Sequence, residues 1–312
     1  MQIDKANSTS DPLVQPTAAG VPAQATGKWI SSHQTKLSDF WRRFRRNRTA
    51  VIGLVLIFLN LTIAVFAPLI APYDPYEQNW RNRLTAPNSQ HWFGTDEHGR
   101  DQLSRIVWGT RISLSIGLIS VSIGLLGGGL LGLISGYFGG GIDNTIMRVM
   151  DVMMAFPGVL MAMALVAALG PGLYNVMIAV GVWSIPLFSR LVRGTVLGLK
   201  ENEFISAARA IGCGNARIIF VHVLPNTIAP ILVFTSLRMA TALLSAAALS
   251  FLGLGAQPPQ PDWGAMLSQG RAHIHSSPHL MWFPGLAIMV LVLSFNMLGD
   301  GLRDALDPRL KN

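Results

Sequence analysis

Long stretches without a charged residue alternate with short charged ones along this chain. Residues 49–72, 112–142, 239–261 and 280–299 contain no Asp, Glu, Lys or Arg, and 38 uncharged residues separate Asp151 from Arg190, broken only by Gly170-Pro171-Gly172. A helix needs about 20 apolar residues to cross the hydrocarbon core of a bilayer. The pattern therefore predicts six spanning helices, over 50–71, 110–137, 144–169, 173–194, 226–254 and 283–301. One or two soluble cores could not hide so many long apolar runs. The expected fold class is an all-α polytopic membrane protein.

Periodicity adds detail. Gly124, Gly128, Gly132, Gly136 and Gly140 recur every four residues in the second span, so they fall nearly on one helix face. Small residues let helix backbones approach closely in lipid, so this stripe predicts tight packing on a neighbour, with a hinge as the lesser alternative. Ala240, Ala242, Ser245, Ala246, Ala247, Ala248 and Ser250 give the fifth span a similar character, suited to a tight bundle or to the lining of a narrow path. Leu37, Trp41 and Phe44 share one face of a segment, 37–48, that also holds Arg42, Arg43, Arg45 and Arg46. This segment reads either as a helix on the membrane surface or as a basic anchor. Residues 1–36 read as a disordered polar tail. Two segments between spans, 73–109 and 255–282, are long enough to carry structure, and the prolines at 258, 259 and 261 favour extended backbone there.

Charge supplies orientation. The net charge is +8, and the basic residues cluster beside spans, which points to membrane topology and lipid headgroups and away from nucleic acid. With the N-terminus in the cytoplasm, 17 Lys and Arg fall inside and six outside. Both termini are thus expected in the cytoplasm. The single cysteine, Cys213, excludes an internal disulfide and a cysteine-built metal cage.

Between the fourth and fifth spans, within 195–225, the pattern changes. Asn202 is placed to cap a helix, Phe204, Ala208 and Ile211 share a face, and Gly212 is placed to end the helix in a left-handed turn. A second short helix is expected from Asn215 until Pro225 interferes. A short amphipathic helix offered in this way suits docking into a groove on a partner. Ala207-Ala208, then Gly212, then Leu224-Pro225 resemble the "EAA" loop of ABC importer membrane subunits. Ser206 departs from the Glu of that pattern and His222 from an aliphatic residue. The resemblance implies that Glu203, Phe204, Ser206, Ala207, Ala208, Ile211, Gly212, Leu224 and Pro225 form a coupling loop held by an ATPase subunit. Glu203 stands one turn before the missing Glu.

Further motifs widen the resemblance to residues 37–310. Phe93-Gly94-Thr95-Asp96, Gly99-Arg100-Asp101, Ser104-Arg105, Gly136-Tyr137-Phe138-Gly139-Gly140, Met147-Arg148, Asp151, Ser250 through Pro259 and Asp262-Trp263-Gly264 resemble the dipeptide/oligopeptide permease family, and the end, Phe295-Asn296 with Gly299 through Pro308, resembles the "C" member of its permease pair. Trp41 to Arg46 and Pro186 to Gly194 resemble the glutathione importer member of that family. The family implies a type I ABC importer transmembrane domain in the bacterial inner membrane and a second homologous permease in a heterodimer. It also implies two ATPase subunits, which carry the ATP and Mg, and a periplasmic or lipid-anchored substrate-binding protein. No cofactor is expected on this chain. Nickel import, a stand-alone channel, a secondary transporter and an intramembrane enzyme are the competing readings.

Three further groups carry candidate chemistry. Gly94 to Asp101 has the glycine spacing of a phosphate loop but lacks its Lys and Ser/Thr, so ATP hydrolysis is expected on a separate chain. Arg238 lies well inside the fifth span, where an ionisable residue is costly and suggests function. It would either line the substrate path or pair with Asp151, Asp300 or backbone carbonyls. His273, His275 and His279 could ligate a metal, but nothing in their spacing makes them converge, and no metal site is assigned.

Overall fold

A computed structural model describes residues 41–306. The predicted tail, 1–36, and the start of the basic segment, 37–40, lie outside the described residues, as do Asp307, Arg309 and Lys311. Residues 41–46 are helical and lead into α1 (Arg48–Val65), whose first turn is capped by Asn47 Oδ1 on the Ala50 amide at 3.1 Å. The single turn α2 (Ala67–Ile70) follows, then α3 (Gln102–Phe138), α4 (Gly140–Met154), α5 (Gly158–Leu169) and α6 (Leu173–Lys200). The connection to the fifth span holds α7 (Glu203–Ala210) and the turn α8 (Asn215–Arg217). Then come α9 (Leu224–Phe251), α10 (Trp263–Gly270) and α11 (His279–Leu306). The described residues are helical apart from loops and one isolated bridge, Thr95 to Asp101.

The closest helix pair is α3 with α6. The two run parallel. Ser120 Oγ donates to Met177 O at 3.0 Å, a partner 57 positions further on, and the same offset repeats down the seam. Gly124, Gly128, Gly132 and Gly136 lie against Ser184, Ile185 with Phe188, Ser189, and Arg193 with Val196. A methyl at 128 or 132 would collide with the main-chain oxygen of Ile185 or Ser189. The fifth glycine of the predicted stripe does not belong to it. α3 ends at Phe138, and Gly140 opens α4 at a φ of 57° with no neighbour on its Cβ side.

Parallel α3 and α6 require the chain between them to return across the membrane. The ends confirm the path. Lys200 Nζ donates to Tyr137 O at 2.7 Å at one end, and the Gly172 amide donates to Leu254 O at 3.1 Å at the other. The return segment is not the single straight span predicted over 144–169. α4 and α5 meet at 88°. Pro157 lacks an amide and its ring obstructs the preceding turn, so a continuous helix cannot pass through Phe156-Pro157-Gly158. α5 then packs on α6, with Gly158 against the Trp183 ring. Among the described residues, five helices are long and apolar enough to span, and this bent pair, which the parallel α3 and α6 require to return the chain, makes the sixth crossing.

Both ends of the bundle therefore lie on one side. Asn47 Nδ2 donates to Asp304 Oδ2 at 2.8 Å, and Gly301 rests on Ala50. Arg303 and Leu306 share a cavity with Leu191 and Asn226, which places them at the end that carries α7. This is the loop end of the bundle, and the opposite one is its far end.

The far end is closed by buried charge. Asp101 caps α3, accepting from the Ser104 amide at 2.8 Å and from His91 Nδ1 at 2.9 Å. Arg105, almost fully buried, donates to Pro75 O and Pro259 O at 3.4 Å each and lies 3.6 Å from Asp96. It thereby ties together the two large inter-span segments. The prolines at 258, 259 and 261 do leave irregular backbone, yet the same segment goes on to form α10. Asp262 accepts the Ala265 amide there, and burial pushes its carboxyl above the usual range.

Forcing a branched side chain into the seam should separate α3 from α6. Gly132→Val is expected to cost about 1–3 kcal/mol, the usual range for overpacking. Gly129→Ala, on the open side of the same helix, should be neutral or slightly stabilising. Thermal unfolding of the two variants in detergent measures the difference.

Candidate functional site

The loop end carries the most distinctive surface. α7 packs on the bundle through Ile205 and Ala208, both buried in an apolar cluster with Val192, Val196, Ile218 and Val223. The face inferred from the sequence is therefore only partly right. Ala208 faces inward, whereas Phe204 and Ile211 are 44% and 80% exposed. Ala207, exposed between them, completes an uncovered apolar ridge, and Glu203, Ser206 and Arg209 flank it, also exposed. An exposed apolar patch bordered by polar residues is the mark of an interaction surface.

The ends of α7 are set by the backbone. Asn202 does not cap it with its side chain; Asn202 Nδ2 instead donates to Gly198 O and Leu199 O at 3.2 Å each, closing the end of α6. At the other end Gly212 takes a φ of 83°. The Gly212 amide donates to Arg209 O at 2.9 Å and the Cys213 amide to Ala208 O at 3.0 Å. These two bonds form a Schellman turn, which a residue with a Cβ reaches only with strain.

The second short helix expected up to Pro225 is absent as a separate element. Helical backbone runs from Asn215 through a π-helical stretch, Ile218–Val223, directly into α9. Leu224 and Pro225 form its first turn, Leu224 half-buried and Pro225 exposed. The proline has no amide to return to residue 221, and the wider π turn makes room for its ring. Asn226 Nδ2 donates to His222 O at 2.6 Å and Thr227 Oγ1 to Leu224 O at 2.8 Å, taking up carbonyls around the irregular turn.

Tyr137, quoted above only within a motif, is the hub beneath this surface. Its hydroxyl donates to Asn215 Oδ1 at 2.8 Å, and the cations of Lys200 and Arg209 lie 6.0 and 5.8 Å from its ring centroid. Nearby, Arg193 holds Asp143 in a two-pronged ion pair at 2.6 Å, and Ser135 also donates to Asp143. The ends of α3 and α6, the start of α4, and the helices α7 and α8 are thus linked through side chains. A tyrosine at the end of an apolar span was the one sequence signal for it, since such rings favour the membrane boundary.

The remaining candidates are dispersed. In the loop shaped like a phosphate site, Asp96 Oδ1 takes the amides of His98 and Arg100 at 2.8 and 3.0 Å, so those donors are already used. His273 faces Glu97 at 3.5 Å, His279 lies beside Gly94, and His275 is exposed. Among the described residues no three His, Cys, Asp or Glu side chains are placed to hold a metal together. Arg238 pairs with neither suggested acid: Asp151 is bound to Arg190 at 2.5 Å, and Arg238 instead reaches Ser184 Oγ at 3.1 Å.

Comparison with known proteins agrees with this architecture. Residues 128–312 match the family model described as binding-protein-dependent transport system inner membrane component, and residues 35–87 match the N-terminal TM domain of oligopeptide transport permease C. The dipeptide transport system permease protein DppC of Alkalihalophilus pseudofirmus is 52% identical over 274 residues, covering 88% of this chain and 90% of the relative. The glutathione transport system permease protein GsiD of Pectobacterium atrosepticum is 49% identical over 282 residues, covering 90% and 94%. An inward-facing structure of the MetNI methionine ABC transporter aligns with a TM-score of 0.54 at 18% identity, over 65% of this chain and 97% of that one, which supports the fold.

The fold is that of a type I ABC importer transmembrane domain. The chain belongs to the binding-protein-dependent transport permeases of the inner membrane, a family whose members work with an ATPase and a substrate-binding protein.

If Tyr137 clamps α7, its removal should loosen that helix while the spans persist. Tyr137→Ala is expected to raise the rate of tryptic cleavage after Arg209 several-fold. Tyr137→Phe, which loses one hydrogen bond worth about 1 kcal/mol, should raise it only slightly. Timed proteolysis in detergent checks this, and equal rates in all three proteins would show that the ring does not hold α7.

Proposed function

We propose that this permease carries di- or oligopeptides, glutathione among them, into the cytoplasm, with its loop end inside the cell and its far end facing the periplasm. The bias of 17 basic residues to six supports that orientation. The names of relatives near 50% identity support the substrate class.

The observation that carries the mechanism is the uncovered ridge Phe204, Ala207, Ile211 on a helix clamped to the bundle. It fits a groove on an ATPase subunit, and ATP and Mg stay on that partner. Two such subunits drawing together pull on α7 of this chain and on its counterpart in a second, homologous permease. Tyr137, Asn215 and the Ile205–Ala208 contact pass the pull to α3, α6 and α9. The two permeases then exchange outward-open and inward-open states, which ATP biases because the docked ATPases bind one state better than the other. A periplasmic or lipid-anchored binding protein delivers peptide at the far end.

Phe204 and Ile211 are exposed, so changing them leaves the bundle intact. Phe204→Asp and Ile211→Asp are each expected to abolish co-purification of the ATPase subunits and peptide uptake, with an unchanged melting curve. Gly212→Pro should also abolish co-purification and uptake, by destroying the left-handed turn. Full assembly and uptake in all three variants would refute the docking role.

A further inference from the structure

Arg238 is 9% exposed and sits on α9 at bilayer depth. Its guanidinium lies 5.2 Å from the centre of the Trp183 ring, and Nη2 donates to Ser184 Oγ, whose own proton goes to Val180 O at 2.9 Å. Its Nε is buried without a hydrogen-bond partner, and so is the hydroxyl of Thr235, one turn earlier on the same helix. No acid among the described residues pairs with it. A buried cation in a membrane calls for a counter-charge. A neutral serine and an aromatic face supply only part of one.

An aromatic pair adjoins the site. Phe188 stands four residues beyond Ser184 on α6, and Phe234 four residues before Arg238 on α9. Their rings meet edge to face at 5.0 Å, one helical turn towards the loop end. Phe234 also lines an open, largely apolar cavity of about 560 Å³, with Leu191, Asn226, Pro230, Arg303 and Leu306 among its other walls. In sequence along the two helices the order is cavity, aromatic pair, cation.

The geometry points to a carboxylate-binding site at Arg238 and Thr235, separated from the loop-end cavity by the Phe188–Phe234 gate. The ligand is a transported peptide, held by its terminal carboxylate while the gate is shut and released into the cavity when α6 and α9 part. Ser184 also lies against Gly124 in the α3–α6 seam, so parting α9 from α6 opens the site without disturbing that seam. This assignment rests on peptide import as proposed above, and adds the group on the peptide that is read within the membrane.

The complete transporter in proteoliposomes provides the test. It compares uptake of a dipeptide with uptake of its C-terminal amide, each normalised to its affinity for the binding protein alone. The wild type is expected to prefer the free acid about tenfold in kcat/KM. Arg238→Gln should bring the two within about twofold, mainly by losing the acid, and Arg238→Lys should retain part of the preference. An unchanged preference in Arg238→Gln, equal loss of both peptides, or no preference in the wild type would overturn the site. Failure of the wild type to carry either peptide would count instead against peptide import.

A second measurement addresses the gate and needs no substrate. In a Cys213→Ser background, Thr235→Cys should react several-fold faster with a water-soluble maleimide once Phe234→Ala is added. An unchanged rate would show that Phe234 does not separate site from cavity.

Discussion

The approach of α3 to α6 along Gly124, Gly128, Gly132 and Gly136 is the constraint on which the rest of the bundle depends. In lipid no hydrophobic force drives one apolar helix onto another, so association relies on close packing and a few interhelical hydrogen bonds. The glycines permit main chain to touch main chain, and Ser120 adds a bond to Met177 O. Because the two helices run parallel, the residues between them must carry the chain back across the membrane. That requirement creates the bent α4–α5 pair, sets α5 against Trp183, and brings the ends of α3 and α6 together where α7 docks.

The two ends of the bundle solve opposite problems. At the far end charges are buried and matched: Asp96 with Arg100 at 2.7 Å, Asp101 with His91 and the first turn of α3, and Arg105 with carbonyls from two segments. Such a network is stable only when nearly every member is satisfied, and it then holds its backbone in one arrangement. At the loop end Tyr137 is buried and joins Lys200, Arg209 and Asn215 around it, and the ridge beside them is left apolar and uncovered.

Between these ends the seam of α6 with α9 differs from that of α6 with α3. It has bulkier aromatic contacts, an incompletely bonded cation at Arg238 and an adjoining cavity. Where α3 and α6 are fitted backbone to backbone, α6 and α9 meet through side chains.

Charge-free runs pointed to the crossings, because a segment in a bilayer without water must satisfy its own backbone, which a run of about 20 apolar residues does as a helix. The motifs from Phe93 to Pro308 and the Ala-Ala-Gly spacing of the loop were enough to place the chain in its family. Periodicity found the glycine stripe as well, though not the point where Gly139 and Gly140 end it. It could not say which apolar face of α7 is buried: Phe204 with Ile211, and Ile205 with Ala208, form stripes of similar character. Only the positions of Val196 and Ile218 choose between them. The straight third span failed because Pro157 breaks the helix while the run of apolar residues continues through it. The predicted break at Pro225 failed in the reverse sense, since a π turn absorbs the ring. The surroundings of Arg238 lay beyond the sequence for the same reason. Local pattern reports which groups need a partner, whereas the partner is chosen by segments far away along the chain, and only packing brings those together.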